Sequence, residues 1–169
     1  MSRLRSGCCD VRDNPDGMLN RILRLGATTA HKLLALNWFF RRPKTFGAHA
    51  VALTPQGRLV LVKLRYAPGW RVPGGGRDES EDACDAALRE LREEIGMTSY
   101  GSATLAGQLD EAVNFKRDTA SLVIVRDVTY RPKRWSWEIE AVREAGLDDL
   151  PTDTSPQTRR WLRIVAPHL

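Results

Sequence analysis

The sequence predicts an α+β fold with a mixed β-sheet packed between helices. Two observations predict it: short apolar strand runs lie before, between and after two helical segments, and the strand and helix periods alternate without any internal repeat. Length and composition agree. At 169 residues, with 42% apolar and 28% charged residues, the chain can bury a core without a disulfide or metal staple.

The elements follow in order. Residues 1–44 read as a basic tail and an amphipathic helix, and residues 45–169 as the main domain. From Met18 to Phe40, Leu19, Ile22, Leu23, Gly26, Ala30, Leu33, Leu34 and Asn37 recur at three- and four-residue steps, which is a helical face. Asp16 or Asn14 caps its start and Pro43 limits its end. Gly47–Leu53 and Arg58–Leu64 are strands joined by Thr54-Pro55-Gln56-Gly57, and read as a hairpin. Pro73 and three glycines form a turn, and a helix runs from about Glu79 to Ile95. Ala120–Val128 is a strong strand; Ala103–Leu109 and Trp135–Val142 are weaker ones. Pro156–Val165 is a closing helix with Ser155 as its N-cap.

Charge is unevenly distributed. The chain carries a net +5. Residues 1–47 hold nine basic and three acidic side chains (+6), whereas the remainder holds 17 basic and 18 acidic (−1). Any polyanion affinity therefore belongs to the N-terminal segment. Its helix can pack on the body or on a second subunit as a homodimer contact. Alternatively, residues 18–44 can lie on anionic lipid, with Trp38, Phe39 and Phe40 inserted beside Arg41, Arg42 and Lys44. A nucleic-acid partner is not expected, because the body is near neutral. Cys8, Cys9 and Cys84 make neither a disulfide framework nor a zinc spacing, so a reduced, cytoplasmic setting is expected. Asp10, Asp13 and Asp16 interrupt any secretory leader, and acylation at Cys8 or Cys9 is a minor alternative.

Chemistry concentrates between Gly75 and Met97. Glu90, Glu93 and Glu94 stand at i, i+3 and i+4, so one helix face presents three carboxylates. Only Arg89 and Arg92 offset them locally. Crowded carboxylates beside a glycine turn offer the oxygen ligands that hard divalent cations take. The apolar side, formed by Ala83, Ala87, Leu88, Leu91 and Ile95, anchors this helix.

The spacing Gly75-x5-Glu81-x7-Arg89-Glu90-Leu91-x-Glu93-Glu94-x-Gly96-Met97 resembles the Nudix hydrolase signature, with each fixed position filled. The resemblance extends from Thr45 to about Leu162, and the segment before it is similar to the N-terminal helix of some small bacterial Nudix proteins. It implies an α/β/α sandwich and a metal-dependent hydrolase. Such an enzyme cleaves a diphosphate linkage in a nucleoside diphosphate derivative and releases a nucleoside monophosphate, using Mg²⁺ or Mn²⁺. By the same resemblance, Glu90, Glu93, Glu94 and the Gly74 carbonyl are metal ligands. Arg89 orients Glu90, and Glu81 supports the helix start or an outer metal site. Glu93 or Glu94, or a late carboxylate, is the general base; Glu138 is preferred and Glu140 second.

Two departures stand out. Ser80 replaces the usual glycine before Glu81, and Ala141-Val142-Arg143 stands where an aromatic pair often follows the late glutamate. Substrate markers are weak. Ala112 and Val113 occupy the position of the proline associated with ADP-ribose cleavage, and Asn114-Phe115 only echoes the tyrosine of dinucleoside polyphosphate enzymes. Tyr66, Trp70 and Phe115 are candidates for base stacking, and Lys63, Arg65, Lys116 and Arg117 for phosphate contacts. The alternatives are a non-catalytic nucleotide-binding module with an idle metal site, and an RNA 5′-end pyrophosphohydrolase.

Overall fold

The computed structural model describes residues 44–113, 116–132 and 136–169. The expected helix at 18–40, the Asn114-Phe115 pair and Trp135 lie outside the described residues. The strands are β1 (Lys44–Ala52), β2 (Leu59–Leu64), β3 (Trp70–Arg71), β4 (Gly74–Arg77), β5 (Met97–Ser99), β6 (Ser102–Val113), β7 (Lys116–Arg126), β8 (Thr129–Tyr130) and β9 (Ile139–Ala145). Two helices, α1 (Ala83–Glu94) and α2 (Pro156–Val165), are followed by a short 3-10 turn at Ala166–His168.

A four-stranded sheet has the order β4-β1-β7-β6, a three-stranded sheet the order β3-β2-β9, and β5 pairs with β8. The β1–β7 pair is parallel and the other pairs are antiparallel, so the sheet is mixed as expected.

Alternation along the strands puts one helix on each face. Ala48, Ala50 and Ala52 of β1, Val60 and Val62 of β2, and Val123 and Val125 of β7 pack with Ala83, Ala86, Ala87, Leu88 and Leu91 of α1. Their neighbours Val51, Leu59, Leu61, Leu122 and Ile124 pack with Trp161, Leu162 and Val165 of α2. This is the α/β/α layering that the resemblance implied, built on the α+β order read from the strand and helix pattern.

The hairpin expectation is corrected. The turn forms as read, with Gly57 N–H donating to Thr54 O (2.8 Å) and Gly57 at φ 71°. Beyond one bridge at Leu53–Leu59, however, β1 and β2 part into different sheets. Parallel pairing with β7 takes nine residues of β1, which local turn chemistry cannot announce.

The glycine run is likewise more than a turn. As β4 it pairs antiparallel with β1, placing Gly74 opposite His49 and Gly75 opposite Ala48. Within the described part of the strand expected over 135–142, β9 begins only at Ile139, because Ser136 Oγ accepts from the backbone N–H groups of Glu138 (3.2 Å) and Ile139 (3.0 Å) and caps the strand start.

Both helices are closed by their own sequence. Asp82 caps α1, its carboxylate accepting from Cys84 N–H (2.8 Å) and Asp85 N–H (3.2 Å), and Gly96 at φ 68° follows its end. The helix starts later than Glu79 because the carbonyls of Asp78, Glu79 and Glu81 turn onto the Arg77 guanidinium. Ser155 caps α2 as expected, Oγ accepting from Thr158 N–H (3.1 Å). Among the described residues, no helix is long and apolar enough to cross a membrane.

Candidate active site

The site forms where the last turns of α1 meet β4. Alanines at 83, 86 and 87 let the helix approach the sheet closely, and Leu91 is fully buried beneath its last turns. Glu94, one position before Ile95, is thereby carried inside; it is 8% exposed. Its Oε2 accepts from Gly74 N–H at 3.0 Å, the one hydrogen bond that ties the carboxylate to the glycine strand. Gly74 at φ 149° is required there, since a Cβ would stand 2.4 Å from Ala48 O.

Burial pushes the Glu94 carboxyl up to about 8 against the opposing pull of Gly74 N–H, and the charges of Glu138, Glu90 and Glu93 add to the rise. Such a carboxylate is short of positive charge.

Glu90 lies one turn earlier. Its Oε1 accepts from Arg89 Nη1 at 2.6 Å, and burial raises its carboxyl despite that partner. A Cβ on Gly75 would sit 2.7 Å from the Glu90 carboxylate, so glycine there makes the room the side chain uses. Arg89 also donates to Glu81 Oε1 (3.2 Å) and to Gly76 O (2.9 Å), which joins the start of α1, β4 and Glu90 through one guanidinium. These contacts keep Glu81 below the usual carboxylate range. Glu93 is exposed and 3.9 Å from Arg89 Nη1.

Glu138 is exposed, but Tyr66 O–H donates to its Oε1, and its charge is felt at both Glu94 and Glu90. Glu140 falls at the irregularity in the β2–β9 pairing, between Ile139 opposite Leu64 and Ala141 opposite Lys63.

The α1 carboxylates are hard oxygen donors around one buried, charge-deficient group, which suits a divalent cation. They are not a finished cage: among the described residues, no three His, Cys, Asp or Glu side chains are gathered to hold a metal ion as they stand. Glu90 is held by Arg89 and Glu94 by Gly74 N–H, and these are the contacts that a cation would compete with or complete.

Beside Glu94 a pocket of about 60 Å³ is lined by His49, Val62, Leu64, Arg71, Val72, Gly74, Gln157, Thr158 and Trp161. The His49 and Trp161 rings are 4.3 Å apart within it. Arg71 was not singled out by the sequence, since one arginine before Val-Pro carries no distinguishing pattern. Its Nε is buried and has no hydrogen-bond partner among the described residues.

Four binding expectations change. Arg65 is buried and its Nε donates to Ser136 O (3.1 Å), so it is a structural clamp and not a phosphate contact. Tyr66 uses its hydroxyl on Glu138. Trp70 is half-buried with Lys63 Nζ 5.8 Å and Arg143 Cζ 6.0 Å from its ring, a packed arrangement, and Lys63 pairs with Asp153 (3.7 Å).

Helix-borne carboxylates against a glycine strand, on an α/β/α frame, define a Nudix-type hydrolase site. The NUDIX domain family model matches residues 43–164, and the chain belongs to the Nudix family. It is 30% identical over 132 residues to an RNA pyrophosphohydrolase of Gluconacetobacter diazotrophicus, covering 71% of this chain and 76% of the relative. It is 39% identical over 61 residues to a putative 8-oxo-dGTP diphosphatase of Bacillus subtilis, spanning 36% of this chain and only 41% of that relative. Among solved structures, the MutT NUDIX hydrolase of Burkholderia pseudomallei matches with a TM-score of 0.61 and 30% identity, covering 72% of this chain and 98% of that one. Family membership brings with it pyrophosphate hydrolysis as the family's chemistry and a general dependence on divalent metal.

Proposed function

We propose that this chain hydrolyses a diphosphate linkage in a nucleoside diphosphate derivative and releases a nucleoside monophosphate. The observation that carries the reading is the buried Glu94 carboxylate, crowded by Glu90, Glu93 and Glu138 and short of a counter-charge. Glu90, Glu93, Glu94 and the Gly74 carbonyl would hold Mg²⁺ or Mn²⁺. When bound, the cation would neutralise charge on the phosphate oxygens and make water easier to deprotonate.

The chain's own groups do the rest. Arg89 holds Glu90 in place through its 2.6 Å contact. Glu138 takes a proton from the attacking water as its oxygen bonds to phosphorus in line with the leaving group. The bridging P–O bond breaks, and the departing phosphate takes the electron pair. Positioning and charge compensation supply most of the rate in such reactions.

The test is a panel of sugar nucleotides, dinucleotides and nucleoside triphosphates with Mg²⁺ or Mn²⁺, with products identified by mass. Monophosphate release supports the proposal. Tight nucleotide binding without turnover of any member would instead mark a binding module.

A second reading is favoured by one observation, the match to the Gluconacetobacter relative over most of both chains. It makes the substrate a triphosphorylated RNA 5′ end, which presents the same anhydride chemistry. Including such an RNA in the panel separates the two. The roles of residues 18–44, whether against the body, a second copy or an anionic membrane, are tested by co-sedimentation of the full-length and truncated protein with vesicles.

A further inference from the structure

The loop after β2 and the segment entering β9 are joined by hydrogen bonds that the reaction above leaves unused. Arg65 N–H donates to Glu138 O (2.9 Å), and Arg65 Nε donates to Ser136 O (3.1 Å). Ser136 Oγ accepts from the N–H groups of Glu138 and Ile139. Above this fixed backbone, Tyr66 O–H donates to Glu138 Oε1, bridging 72 positions of sequence. An exposed glutamate otherwise samples many rotamers, and ordering one costs side-chain entropy. A tyrosine with two torsions, set on a half-buried ring, is a rigid post against which to hold it.

We infer that Tyr66 is a positioning residue: its hydroxyl holds Glu138 by one oxygen so that the carboxylate faces the Glu94 and Glu90 cluster, while Arg65 fixes the backbone beneath it. This rests on the reading of Glu138 as the general base. Oε1 is spent on the phenol, and Oε2 is left for the proton of the attacking water. Burial, and then the bond to Glu138, drives phenol ionisation well above its ordinary range, so Tyr66 stays a donor at any working pH. The other charges facing it are Glu94, which adds to that rise, and Arg71, which opposes it.

The test is a double-mutant cycle on the substrate found in the panel. Tyr66→Phe keeps the ring and removes the donor. It should lower kcat roughly 10- to 100-fold with KM and thermal melt nearly unchanged. In a Glu138→Gln background it should cost less than about twofold more. Equal losses in both backgrounds overturn the inference, as does a raised KM at unchanged kcat, which base stacking would give. Full activity of Tyr66→Phe where Glu138→Gln is impaired overturns the positioning role alone. Full activity of Glu138→Gln removes the general-base reading and the positioning role together.

A readout independent of turnover is the tyrosinate absorbance titration of the chain's three tyrosines. One should ionise only at strongly alkaline pH in the parent and at lower pH in Glu138→Gln. Identical titrations overturn the inference.

Discussion

Helices α1 and α2 cover opposite faces of the same strands, yet they are built for different work. α2 meets the sheet with Trp161, Leu162 and Val165, and seals a neutral core. α1 meets it with three alanines and two leucines, and the closer approach carries Glu94 into the interior. The contrast teaches that small residues on a helix face can serve function: they set how deep a carboxylate at the end of the helix is drawn. On α2 burial contributes stability, whereas on α1 part of that stability is given up to hold charge.

Breaking the α1 side should give the largest effect on catalysis. Glu94→Gln is expected to lower activity by on the order of 10²-fold or more, with a melt above that of the metal-free parent at pH 9, where burial disfavours the ionised carboxylate. Steady-state rates beside calorimetry on the same preparation check both halves.

On the α2 side the same effort should strike stability and leave chemistry alone. Leu162→Ala, which opens a cavity at a buried site, should cost about 2–5 kcal/mol by denaturant unfolding. The kcat of the folded fraction should stay within error. A selective loss of kcat would mean that the two faces are not separable in this way.

Gly75→Ala sharpens the comparison within the α1 side. Its methyl would collide with the Glu90 carboxylate, and activity should fall roughly 10- to 100-fold through that displaced side chain. The smallest effect expected is Ser155→Ala at the α2 cap, about 1 kcal/mol in stability with no change in rate.

What the sequence made legible was what is local. The α1 face and the Ser155 cap are set by spacings of four residues or fewer, so periodicity and capping chemistry reveal them. The hairpin failed because β1's choice of β7 is decided more than 60 residues away, by matched strand length and apolar alternation. The glycines of β4 read as a turn because glycine is a poor strand former, and its pairing with β1 becomes evident only in the register. The carboxylate spacing was visible in the chain. The Tyr66–Glu138 bond and the buried Arg71 Nε were not, since neither leaves a pattern in sequence.

α1 buries a carboxylate, and the proposed function has a divalent cation neutralise it, which linkage tests directly. An unfolded glutamate ionises near 4.5, and Glu94 in the fold near 8. Between those values the unfolded chain releases a proton that the fold retains. Stability of the metal-free protein therefore declines as pH rises from about 5 and levels off above 8; the raised Glu90 acts in the same direction. The measurement is the thermal melt of metal-free parent and Glu94→Gln protein at pH 6 and pH 9, with and without Mg²⁺ or Mn²⁺. The parent should lose stability between pH 6 and pH 9 and regain it with the cation, and Glu94→Gln should show little of either change. Equal metal stabilisation of the two proteins at pH 9 would contradict the account.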